Sequence, residues 1–178
     1  MITLVEALGY VPAEPNAAQR SIQTIAATRP AAWTLSKVLA PMDRWLLGVS
    51  NGQRTFAGIL AGLPVVTLTS TGAKSGLPRA TPLIGVPIDG SLAVLGTNYG
   101  QPAAPAWTHN LAANPAATVA YREAAAPVTA RPADDGEFEY AFDRAAGIYP
   151  GYQEYRKRVS DRPIPVFVLD HAEGAEGP

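Results

Sequence analysis

Glycine and proline punctuate this chain so often that no long regular element fits between them: 16 Gly and 17 Pro fall among 178 residues. Proline removes a backbone donor and clashes inside a helix, and glycine weakens helices and strands alike. The density therefore argues against a helical bundle and for many short elements joined by turns. The runs that survive are short and apolar. None approaches the ~20 residues of a membrane span. Apolar residues still make up 47% of the chain and charged residues 16%, enough to bury a core. The length suits one domain.

Composition closes several functional classes. Cysteine is absent, which excludes disulfides, thiolate metal sites and a catalytic Cys. Two histidines, His109 and His171, without an acidic spacing motif, argue against zinc or di-iron chemistry, so no metal is expected. His109 reads as a surface residue and His171 as solvated. The net charge of −1 gives no support for nucleic-acid binding. Met1 to Tyr10 lacks the basic start and apolar stretch of a signal peptide, so the expected location is cytoplasmic. Charge is uneven: residues 1–122 carry eight Lys/Arg against four Asp/Glu, and residues 123–178 carry six against eleven.

Along the chain, residues 1–15 read as loosely ordered or extended, with Pro12 and Pro15. Residues 16–28 and 31–48 read as helices. Trp33, Leu35, Val38, Leu39, Met42, Trp45 and Leu46 give the second an apolar stripe for packing on the main domain. A weak peripheral membrane contact is the alternative use of that stripe. Residues 1–48 are accordingly expected to form an N-terminal helical extension, peripheral to the chemistry, and residues 49–178 the main domain. From Pro64 the pattern turns to strands: Val65 to Ser70, Ala80 to Ile88, Leu92 to Asn98, Thr118 to Arg122, Val128 to Arg131 and Ile164 to Leu169. Asp89-Gly90 is a strong hairpin signal. Helices are predicted at Ala106–Ala113, stopped by Asn114-Pro115, at Asp135–Ile148 and at Gly151–Val159. In the second of these, Phe138, Ala141, Phe142 and Ala145 make one buried face. About six mostly antiparallel strands with helices packed outside fit a small closed or split barrel, because closure removes exposed edges.

Three segments carry candidate chemistry. The stretch Thr69 to Arg79 gathers hydroxyls, two glycines, Lys74 and Arg79 between two strands, the makings of a phosphate or carboxylate cradle. It is not a P-loop, since Ala73 precedes Lys74 and no helix follows. The stretch Thr97 to Asn110 leaves a strand through a Gly/Pro-rich loop into a short helix whose start suits an anion. Third, Tyr149, Tyr152 and Tyr155 recur every three residues near a helix start. A dry core is better served by Leu or Phe, so a ligand-facing role competes with plain packing.

Together these pieces resemble the deazaflavin-dependent nitroreductase family of actinobacteria, whose cofactor is coenzyme F420. The likeness rests on Leu68 to Arg79, Thr81-Pro82-Leu83, Pro105 to Leu111 with Asn114-Pro115, Tyr149-Pro150-Gly151-Tyr152-x-x-Tyr155, and Ile164 to Leu169, in the family's order and spacing. It implies a split β-barrel. It implies that Lys74, Ser75 and Arg79 hold the cofactor's phosphate and acidic tail, and that Pro82, Leu83 and Ile84 line the deazaflavin ring. Thr97 and Asn98 would border the cofactor, and Ala106, Trp107 and Asn110 would close its groove. Tyr149, Tyr152 and Tyr155 would shape the substrate pocket. Two positions depart: Asn98-Tyr99-Gly100 stands where many members have a basic or Gly-rich stretch, and Ala73 where a basic residue is frequent. The expected activity is hydride transfer from reduced F420 to a small electron-poor acceptor, a quinone, activated enone or nitroaromatic, by a monomer or homodimer. FMN and FAD are weaker candidates. The alternative is a non-catalytic binder of a flavin, fatty acid or haem in the same groove.

Overall fold

A computed structural model of the chain describes residues 2–11, 63–159 and 161–172. Seven antiparallel strands form one sheet: β1 (Val65–Thr71), β2 (Pro78–Ile84), β3 (Val86–Ile88), β4 (Ser91–Leu95), β5 (Ala116–Tyr121), β6 (Ala124–Pro132) and β7 (Val166–His171). Four helices accompany them among the described residues: α1 (Leu4–Ala7), α2 (Ala106–Ala113), α3 (Asp135–Ile148) and α4 (Gly151–Arg158). The predicted helices at 16–28 and 31–48, and the proposed boundary at residue 48, lie outside the described residues.

The strand order is β2-β1-β5-β6-β7-β4-β3. Its two end strands, β2 and β3, are consecutive in the chain and joined by Gly85 alone. Laid flat, seven strands put their outer members about 29 Å apart, at ~4.8 Å per neighbour. One residue spans only ~3.5 Å. The sheet must curl until its ends meet, and a barrel results. The continuous apolar run from Ala80 to Ile88 is therefore not one strand, as its composition suggests, but two that pair with different neighbours: β2 with β1, and β3 with β4. This raises the count from six to seven. The Asp89-Gly90 turn closes the β3–β4 hairpin, both residues having positive φ (43° and 87°) as a type I′ turn requires.

Alternation sorts the side chains into two cores. Val66, Leu68, Leu92, Val94, Val119, Tyr121, Val128, Phe167 and Leu169 fill the barrel. Their neighbours Val86, Ile88, Ala93, Leu95, Val166 and Val168 point outward and are covered by Ala141, Phe142 and Ala145 of α3 and by the tyrosines around α4. Strands β4 and β7 are thus buried on both faces, which explains their unbroken apolar sequence. Helix α3 starts on a capping box, Asp134 with Glu137. Arg131 of β6 grips Glu137 (2.6 Å) and Asp170 of β7 (2.8 Å), fastening the helix to the sheet.

A helix plugs each end of the barrel. At the far end, Leu4, Leu8 and Tyr10 are all less than 5% exposed and belong to the barrel core. The Tyr10 hydroxyl donates to the Gly85 carbonyl (2.5 Å) at the point where β2 hands over to β3. Val5 N–H bonds the Gly90 carbonyl, and His171, half-buried rather than solvated, reaches the Ile2 carbonyl (3.2 Å). Residues 2–11 are therefore not loosely ordered. The physical reason is local shortness: Leu4 and Leu8 make only one i, i+4 pair before the prolines begin. At the near end, α2 inserts Trp107 and Leu111 into the same core, Trp107 lying edge-on to Phe167 (6.1 Å).

Candidate functional site at the mouth of the barrel

The near end is framed by three segments that leave the sheet together: the β1–β2 loop (residues 72–77), the β4–α2 loop (residues 96–105), and α2 itself. The β1–β2 loop closes on itself through Gly72 N–H to Leu77 O (2.9 Å) and Gly76 N–H to Gly72 O (2.8 Å). Gly72 leaves room for this closure, because a Cβ there would crowd the Ser75 hydroxyl (2.6 Å) and the Leu77 carbonyl (3.2 Å). Gly76 takes φ +67°, a left-handed conformation that other residues adopt at a cost. The Ala73 N–H is held by the Asn110 side-chain oxygen (3.0 Å), and the Asn110 amide donates to Ser70 (3.2 Å). Asn110, buried on α2, thus ties the loop to the helix and to β1.

What remains at the tip is a set of donors. Lys74, Ser75 and Arg79 are exposed, and the Arg79 guanidinium reaches the Ser75 hydroxyl (3.5 Å). The N–H groups of Lys74 and Ser75 have no hydrogen-bond partner among the described residues. No Asp or Glu occurs from Val65 to Ile88. Two cations, a hydroxyl and two open N–H groups without a carboxylate fit a phosphate or carboxylate group. Pro82, Leu83 and Ile84 follow along β2 away from this tip and are half-buried, Leu83 against the barrel core and Ile84 against the outer core, at the end of the strand beside Gly85.

Across the mouth, Thr97 is buried and Asn98 half-buried, its side chain turned to the Ala103 carbonyl (2.9 Å). Ala106 is exposed at the start of α2. Trp107 is 4% exposed, its ring directed into the barrel rather than along a groove, so it fixes the seat of α2. Thr108 packs where Gly96 leaves room, since a Cβ on Gly96 would stand 2.9 Å from its methyl group.

The tyrosines gather as the spacing suggested, but more tightly. Tyr149 sits at the end of α3 and Tyr152 and Tyr155 on α4. Their ring centroids are 6.0–6.3 Å apart in all three pairs, at tilted or edge-on angles. Gly151 makes this possible, because a Cβ there would run into the Tyr149 ring. The Tyr149 and Tyr155 hydroxyls are hydrogen-bonded (3.2 Å). Burial pushes the hydroxyls of all three above the ordinary tyrosine range, so each carries its proton at neutral pH. Tyr99 joins the group from the β4–α2 loop, edge-on to Tyr155 (6.2 Å, 72°).

Sequence reasoning missed Arg162. Its guanidinium donates to the carbonyls of Gly96, Thr97 and Gln101 (3.1–3.4 Å), pinning the β4–α2 loop from beneath. No periodicity marks an arginine lying in the turn ahead of β7.

Known proteins share this fold and sequence pattern. Residues 46–171 match the family model for F420H(2)-dependent quinone reductases. An F420H(2)-dependent quinone reductase of Mycobacterium tuberculosis is 33% identical over 112 residues, 60% of this chain and 72% of that protein. Among solved structures, the F420-H2 dependent reductase FDR-A of Mycobacterium smegmatis superposes with a TM-score of 0.55 at 39% identity, covering 60% of this chain and 93% of that one. A domain-swapped dimer superposes at 0.57 with 32% identity, covering 79% and 98%. The non-catalytic alternative is not favoured by these relatives, and the split β-barrel matches theirs. The chain belongs to the F420H(2)-dependent quinone reductase family and is an oxidoreductase that draws its reducing power from coenzyme F420.

Proposed function

We propose that the barrel mouth is the active site, with the cofactor on the β1–β2 side and a quinone on the tyrosine side. Lys74, Ser75 and Arg79 would hold the cofactor's phosphate and acidic tail. Pro82, Leu83 and Ile84 would lie along its ring, with Thr97, Asn98, Ala106 and Asn110 bordering it. When bound, reduced F420 supplies a hydride, and the quinone takes up that hydride and one proton to become a hydroquinone. The chain's own part is to orient the two rings and keep water from between them. Charge building on the quinone oxygen needs a donor. The protonated tyrosine hydroxyls are suited to that role, Tyr152 foremost as the centre of the stripe.

The observation that carries this reading is the cationic, carboxylate-free tip of the β1–β2 loop, together with a buried, protonated tyrosine cluster that packs on the outer face of the sheet and meets the β4–α2 loop of the mouth through Tyr99. The test is the series Tyr149→Phe, Tyr152→Phe and Tyr155→Phe. At least one variant should lose about tenfold or more in kcat/KM for benzoquinone at unchanged F420 affinity. Wild-type rates in all three would make the tyrosines scaffold only. Preference for F420 over FMN or FAD is supported by the family match and is checked by parallel fluorescence titrations. The monomer-or-homodimer assignment is tested by light scattering. The membrane contact rests on the apolar stripe of residues 31–48 alone, and vesicle co-sedimentation tests it; no helix among the described residues is long and apolar enough to cross a membrane.

A further inference from the structure

The β4–α2 loop contains the most strained stretch among the described residues. Asn98, Tyr99 and Gly100 follow one another at φ +47°, +56° and +77°. Glycine accepts such values freely and asparagine fairly well, but a tyrosine there is an outlier that surrounding structure must enforce. The enforcement is visible on three sides. Arg162 clamps the carbonyls of Gly96, Thr97 and Gln101 on both flanks of the turn. The Asn98 side chain bonds the Ala103 carbonyl. Gly100 is pressed against Arg158 of α4, where a Cβ would stand 3.0 Å from the arginine Cδ.

A turn needing only backbone geometry is served best by glycine at all three positions. The tyrosine side chain therefore has its own use. Its ring meets Tyr155 edge-on at 6.2 Å, yet Tyr99 is 40% exposed while Tyr149, Tyr152 and Tyr155 are about 5% exposed. Its hydroxyl is close enough to those of Tyr152 and Tyr155 to add to the upward push on both. Tyr99 thus lies against Tyr155 at the solvent-facing edge of its own loop, held there by a strained backbone.

We propose that Tyr99 is a specificity-determining residue: its ring forms the outer wall of the acceptor pocket and sets the size of quinone that reaches the tyrosines. This rests on the reading of the tyrosine cluster as the acceptor side. A fixed ring at the entrance admits a single-ring quinone and opposes a substituted bicyclic one. Removing it relieves the backbone and the exclusion together.

The test compares wild type with Tyr99→Gly, Tyr99→Phe and, as a second open variant that tolerates the left-handed conformation, Tyr99→Asn. Tyr152→Phe is run in parallel. The readouts are kcat/KM for benzoquinone and for menadione, F420 Kd by fluorescence, and Tm. Tyr99→Gly and Tyr99→Asn should raise the menadione-to-benzoquinone ratio by about tenfold, the low end of what one steric contact gives. Tyr99→Phe should leave it within about twofold. F420 Kd should hold, and Tm should not fall in Tyr99→Gly. A ratio unchanged in both open variants, while Tyr152→Phe still slows benzoquinone reduction, overturns the assignment of Tyr99 alone. A loss of F420 affinity with an unchanged ratio makes the ring a cofactor wall and also overturns it. If neither Tyr152→Phe nor the open variants alter quinone kinetics, the acceptor-side reading fails and takes this one with it.

Discussion

Leu4→Ala offers the sharpest test of the far-end plug. Leu4 is 1% exposed within the barrel core. The substitution removes three carbons, about 2.4 kcal/mol of transfer free energy at ~0.8 per methylene. A cavity term adds to this, and measured buried Leu→Ala changes span about 2–5 kcal/mol. Helix α1 is a single turn, so it can settle partly into the gap, which places the expectation at about 2.5–3 kcal/mol. For a chain of this size that lowers Tm by roughly 5–12 °C. F420 affinity should stay within about twofold, because α1 closes the end of the barrel opposite Lys74 and Arg79. Thermal unfolding and a cofactor fluorescence titration on the same samples give both numbers. A Tm within a degree of wild type would refute the packing of residues 2–11. A normal Tm loss joined to a tenfold loss of F420 affinity would refute the separation of the two ends.

Lys74→Ala and Arg79→Ala should each weaken F420 binding by about 1–3 kcal/mol, less at high salt, as read by fluorescence titration; two variants with wild-type Kd would remove the loop from the cofactor site. Asn110→Ala leaves the Ala73 N–H and the buried Ser70 hydroxyl without partners, so it should cost about 1–2 kcal/mol in urea unfolding and weaken F420 without touching a charge. Arg131, helped by the Asp134 N–H, holds the Glu137 carboxyl down to about 2 from 4.5. A lowered folded value means stability that is present above about pH 4.5 and lost as pH falls toward 2. After screening of this half-exposed pair the loss should be about 1 kcal/mol, and Glu137→Gln should flatten that part of the Tm–pH profile.

What the sequence reveals of this fold is what is decided locally. The ends of α2 are legible because Asn114-Pro115 stops a helix by chemistry that needs no neighbour, and α3 because four apolar positions repeat at the helical period. The donor loop is legible for the same reason: hydroxyls, glycines, Lys74 and Arg79 lie within eleven consecutive residues. The division of Ala80–Ile88 is not legible. Both halves are apolar and suited to strands, and the break at Gly85 is set by which strand each half pairs with, β1 on one side and β4 on the other. Tyr10 shows the same dependence, since its hydroxyl is satisfied by a carbonyl 75 residues away.

The candidate site divides along this line too. Lys74, Arg79 and the tyrosines declare themselves by residue type, whereas their mutual placement depends on contacts that no local pattern encodes. Asn110 reaches back 37 residues to fix the loop, and Arg162 reaches back 61 to 66 residues to fix the opposite loop. Both act on backbone groups, for which any sequence would serve, so neither contact leaves a trace in the residues it holds. Tyr99 combines the two cases. Its departure from a Gly-rich stretch is visible in the sequence, but its meaning depends on a left-handed backbone that Arg162 and α4 impose. A tyrosine in a relaxed loop would swing away from Tyr155. In this clamped turn it is held over the cluster, and the strain that makes it costly is what makes its position definite.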